Sequence, residues 1–137
     1  MNRTDFQKLS AIRLKESQAL FAAEMYAGAY YLAGYAVECA LKACIAKKTR
    51  RHDFPEKDQV NRSWTHSLPE LAKVAELDSY LRPRTPANAA LHDNWRTVEQ
   101  WSEKSRYGLA DCEAAAELIR AITDRKDGVL VWVRRHW

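Results

Sequence analysis

Glycine and proline are scarce in this 137-residue chain, four of each, which leaves little turn-forming material for a β sandwich or barrel of many short strands. Cysteines number three, an odd count without a CxxC pair, so neither a disulfide framework nor a paired-cysteine metal site is indicated. Cys39 and Cys44 stand five residues apart, about 140° around a helix, too far round to share one metal ion. With Cys112 they read as three buried thiols of a reducing compartment. The N-terminal MNRTDFQKLS lacks the apolar core of a signal peptide, and the best spanning candidate, Ala27 to Ala46, is interrupted by Glu38 and Lys42. A cytoplasmic protein with no membrane segment is expected. Missing too are a glycine-rich phosphate loop, a metal-ligand cluster and a nucleophile–base motif, so neither cofactor nor metal is expected.

What the chain does have is ordinary globular composition, 47% hydrophobic and 29% charged, with a net charge of +4. The length suits one compact domain spanning residues 1–137. Lys47, Lys48, Arg50 and Arg51 form a basic cluster, and Arg134 and Arg135 another. Such clusters either neutralise phosphates or sit as solvated cations at helix ends, where the dipole favours them.

Periodicity predicts about five helices. Phe6, Leu9, Ile12 and Leu20 mark a first, capped near Thr4. Leu20 to Lys47 is Ala-rich, free of proline and apolar on most faces, which predicts one unbroken central helix touched by neighbours on several sides. Residues 49–65 turn charged and read as a long loop or insert. Ser67 and Glu70 form a capping box for a third helix with Leu68, Leu71, Val74 and Ala75 on its apolar side. Thr85-Pro86 reads as the start of a fourth, in which Leu91, Trp95, Val98 and Trp101 recur at helical spacing, closed by Arg106-Tyr107-Gly108. The last begins near Asp111. Asp127-Gly128 before VLVWV has the look of a turn and a strand, but no partner strand exists elsewhere, so the helix is extended through Gly128.

The string YYLAGYAVECALKA, Tyr30 to Ala43, resembles the long central helix of the HEPN family (higher eukaryotes and prokaryotes nucleotide-binding domains). His66-Ser67-Leu68 leading into a short helix, Arg106-Tyr107 after a linking helix, and a final helix opening Asp111-Cys112-Glu113-Ala114-Ala115 follow in that family's order. The resemblance implies an all-α, up-and-down antiparallel bundle, prokaryotic and commonly a homodimer. It also implies a nucleotidyltransferase partner in a toxin–antitoxin setting, or a nucleotide or RNA ligand. Some members are metal-independent ribonucleases using an Arg and a His with four to six residues between them. Here His52, His66, His92 and His136 all lack an Arg at that spacing; Arg62–His66 has three between and Arg84–His92 seven.

The expected function is therefore a non-enzymatic HEPN-like module that dimerises and binds a partner nucleotidyltransferase or a nucleotide. The alternatives are a ribonuclease with a rearranged site built from Arg106 with His66 or His92, and an RNA-binding adaptor working through Lys47 to Arg51. Glu38, Lys42, Arg106 and Tyr107 are the nucleotide-binding candidates. Each has a structural alternative: Glu38 and Lys42 lie four apart in the order that favours an ion pair, while Tyr107 packs and Arg106 pairs with a carboxylate such as Glu38. Trp95 and Trp101 stack bases or, more in keeping with their spacing, fill a core or dimer interface.

Overall fold

A computed structural model describes residues 1–49, 54 and 56–137, and among them every regular element is helical. The helices are α1 Arg3–Ala22, α2 Tyr26–Lys48, α3 Lys57–Ser63, α4 Leu68–Val74, α5 Asp78–Leu81 and α6 Ala89–Val98. A 3-10 helix, Glu103–Tyr107, separates these from α7 Cys112–Thr123 and α8 Val129–Val133.

The central element is α2, in which every residue from Ala36 to Leu41 is buried, more than a full turn. A helix buried all the way round must be covered by several partners, and α1, α4, the 3-10 helix, α7 and α8 all pack on it. Its small residues set how close they come. Against α1, Ser10 Oγ donates to the Ala36 carbonyl and Ser17 Oγ to that of Ala29, both at 2.7 Å. Advancing two turns on α1 retreats two turns on α2, so the pair is antiparallel. Gly34 lies flat under the indole of Trp101, where a Cβ would come within 2.2 Å of the ring. Val37, Leu41 and Cys44 of α2 share one core with Leu68 and Leu71 of α4, Trp95 and Val98 of α6, Leu118 and Ile122 of α7, and Leu130 and Val133 of α8.

Several boundaries depart from the sequence reading. Asn2, not Thr4, caps α1, in a capping box with Asp5. The central helix starts at Tyr26, and Leu20 to Ala22 belong to α1, because the chain turns at Ala23-Glu24-Met25. Glu24 N–H donates to the Phe21 carbonyl (3.0 Å) and Met25 N–H to that of Leu20 (2.8 Å), with Glu24 left-handed at φ 61°. That is a Schellman end, usually built on glycine; glutamate hides it. The same device ends α4, with Glu76 at φ 59°.

Ser67 does cap α4, but its own N–H goes to Thr65 Oγ1, so the reciprocal half of the capping box is not made. Thr85 does not start the fourth helix. Its N–H and hydroxyl bond to Asn88 Oδ1, and Asn88 caps α6 three residues later. The two-turn α3 lies within the predicted loop, with no buried residue. The last helix breaks at Asp124, whose carboxylate accepts the Lys126 and Asp127 amides, which hold its carboxyl below the usual aspartate range. Gly128 then caps α8 at a point where a Cβ would meet backbone at 2.5 Å. Cys39 and Cys44 are buried, which pushes their thiols up to about 12 and about 11, whereas Cys112 is exposed, contrary to expectation.

The α1–α2 break gives a direct test. Glu24→Gly relieves a left-handed side chain, so it is expected to leave stability unchanged or raise it by up to about 1 kcal/mol in urea unfolding. Within a continuous helix the same change would lower stability by roughly 1 kcal/mol.

Candidate functional site

On α2 the four-residue spacing of Glu38 and Lys42 puts both side chains on one face, and Lys42 Nζ donates to Glu38 Oε1 at 3.0 Å. Glu38 is only 1% exposed, so its charge has lost nearly all its water and must be held by protein groups. A second partner arrives from the segment before α4. His66 Nδ1 lies 2.8 Å from the same Oε1. Oε2, equally buried, has no hydrogen-bond partner among the described residues.

His66 is held there by its local chain. Thr65 Oγ1 accepts the Ser67 N–H and Ser67 Oγ the Glu70 N–H, so the turn into α4 is fixed immediately beside the ring. The far side of the imidazole faces the 3-10 helix, with Nε2 3.3 Å from Glu103 Oε2. Residues three apart on a 3-10 helix eclipse one another, so Arg106 shares the edge that Glu103 presents. Its guanidinium stands 4.9 Å from the Tyr107 ring centroid, and both side chains are exposed. Trp64 and Leu109, also exposed, flank the same edge in sequence.

The arrangement has a plain chemical consequence. An ionised, buried carboxylate on Nδ1 keeps the neutral imidazole protonated there and turns Nε2 toward the surface. A ligand that displaces Glu103 meets Nε2, with the exposed Arg106 one 3-10 turn further along the same helix. With Nε2 protonated such a pair can bind a phosphate, and with Nε2 unprotonated the ring can take a proton from a hydroxyl.

The structure thus brings Glu38, Lys42 and His66 into one network and sets Arg106 and Tyr107 at its edge. Glu38 takes Lys42 and His66, not Arg106, and Tyr107, 79% exposed, does not pack. Trp95 and Trp101 are core side chains. His92 is elsewhere, on α6, with Nδ1 2.9 Å from the Leu81 carbonyl. Lys47 and Lys48 close the last turn of α2, Lys48 paired with Glu76; Arg50 and Arg51 lie outside the described residues. Glu103 was not foreseen, since a lone glutamate in a charged segment carries no pattern. Among the described residues no cluster of metal-ligating side chains occurs, and no helix is long and apolar enough to cross a membrane.

A family model described as HEPN domain matches residues 10–135, nearly the whole chain. The chain belongs to the HEPN family. No curated protein and no solved structure matches it. Membership gives the helical bundle its family and supports a nucleotide-binding or RNase-like module in general terms. In this HEPN domain the arginine and histidine of the candidate edge come from separate segments, and Glu103, on the same 3-10 helix as Arg106, lies against the histidine.

The network makes its own prediction. His66→Ala and Lys42→Met each remove one partner of a buried carboxylate, and each is expected to cost about 1.5–3 kcal/mol in chemical denaturation. Because both act on Glu38, their effects in a Glu38→Gln background should shrink markedly; costs unaltered by that change would show that the contacts do not stabilise the fold.

Proposed function

We propose that this HEPN domain is a homodimeric binding module that takes up a nucleotide phosphate at the edge around His66, Arg106 and Tyr107, in company with a nucleotidyltransferase in a cytoplasmic toxin–antitoxin system. The observation that carries the reading is the exposed Arg106 lying over Tyr107 on the 3-10 helix whose Glu103 meets a histidine anchored by a buried carboxylate. A guanidinium matches a phosphate in geometry and charge, and the tyrosine ring offers a face to a base. Trp64 and Leu109 supply apolar surface of the kind that a second copy or a partner protein covers. The absence of the family's Arg-then-His spacing favours binding over cleavage.

A second reading has one observation in its favour. Glu38 on Nδ1 of His66 is a general acid–base arrangement, and with Arg106 near the same edge it suits a metal-independent ribonuclease.

Light scattering and titration with ATP separate these. A dimer is expected, with nucleotide affinity about tenfold weaker in Arg106→Ala, the size of a lost charge-assisted hydrogen bond. A monomer that recruits neither nucleotide nor nucleotidyltransferase from its host contradicts the proposal. RNA cleavage in the presence of a chelator, abolished in both His66→Ala and Arg106→Ala, would instead establish the ribonuclease.

A further inference from the structure

A second polar concavity lies outside that edge. It has a volume of about 300 Å³ and is lined by Arg82, His92, Trp95, Arg96 and Glu99. Arg82 is the residue that ends α5, and the others come from α6 and its C-terminal cap. His92, Arg96 and Glu99 recur at the four-then-three spacing that lines one face of a helix, and Arg82 closes the cavity from across the turn.

We propose that this cavity is a binding site for a single phosphomonoester with neighbouring hydroxyls, a ribose phosphate or a nucleoside monophosphate, with Arg82 and Arg96 taking the phosphate and Glu99 the hydroxyls. Among the described residues neither guanidinium is in an ion pair, whereas Arg84 close by is taken by Asp93 at 3.3 Å and Arg13 by Glu16. Both side chains are exposed and line the same space, where two forked guanidiniums are suited to a phosphate's three oxygens. His92 has Nδ1 committed to the Leu81 carbonyl, so the ring is fixed and Nε2 is its remaining polar atom. Trp95, 1% exposed, closes the wall from the core side, and its buried indole nitrogen has no partner among the described residues.

Glu99 decides the class of ligand. A carboxylate beside two guanidiniums repels a bare phosphate, but it accepts hydrogen bonds from hydroxyls. Two cations and one anion leave a net positive site that prefers a phosphate whose other half carries donors. The volume, at the low end for small-molecule sites, suits one mononucleotide and not a polynucleotide.

Calorimetric titration of the intact protein with ribose 5-phosphate, AMP and inorganic phosphate tests this. In an Arg106→Ala background, which removes the other edge, saturable binding of ribose 5-phosphate or AMP is expected, weakened about tenfold or more by Arg82→Ala and by Arg96→Ala. AMP binding that greatly exceeds ribose 5-phosphate would identify the nucleotide; equal affinities would identify the sugar phosphate. Glu99→Ala should act in opposite directions, tightening inorganic phosphate while weakening ribose 5-phosphate. No saturable binding of either ester, or binding indifferent to both arginine variants, would overturn the proposal. Because the Arg106→Ala background already lacks the other edge, binding at the cavity is read by itself and the two sites fail independently.

Discussion

A carboxylate with 1% exposure has to be paired, and the pairing of Glu38 is the constraint around which this bundle is arranged. Lys42 supplies one partner within α2 at no topological cost. His66 supplies the other from 28 residues away, and so ties the start of α4 to the middle of the central helix. Through Glu103 the same ring reaches the 3-10 helix. Three segments that share no hydrophobic pattern are thereby brought to one edge. That edge carries the exposed Arg106 and Tyr107.

The remainder of the fold follows from the small side chains of α2. Alanines and Gly34 allow close approach, so α1 comes near enough for serine hydroxyls to reach the carbonyls of α2, and Trp101 lies against the helix backbone. Each added contact buries more of α2, which raises the cost of leaving Glu38 unpaired. Dense packing and the polar network therefore depend on each other. Cys39 and Cys44 fit this account as small buried side chains whose thiols burial holds neutral.

Much of this was legible in the residues. The Ala-rich stretch read as Leu20 to Lys47 announced a many-sided buried helix, which begins at Tyr26; the Glu38–Lys42 spacing announced an ion pair, Ser67 a cap that forms, and Asp111 the start of the last helix. The errors share a cause. Helix ends at Glu24 and Glu76 use left-handed glutamate, for which sequence offers no sign, so α1 and the central helix ran together and α5 was overlooked. Gly128 looked tolerable inside a helix because its crowding comes from backbone that folds back only after Asp124 turns the chain. The candidate edge was half visible: Glu38, Lys42, His66, Arg106 and Tyr107 could each be named, but their grouping depends on Glu103 and on a 3-10 turn too short to show periodicity. The α5–α6 cavity was less visible still, since only His92 and Trp95 among its lining residues stood out, and nothing in the sequence joined them to Arg82.

The central claim is that Glu38 fixes the imidazole of His66 through Nδ1. Long-range proton–nitrogen NMR correlation on the imidazole reads the tautomer directly. The account predicts that neutral His66 carries its proton on Nδ1, toward Glu38, and that Nε2, which faces Glu103, is the unprotonated nitrogen. A neutral ring protonated on Nε2 would contradict it.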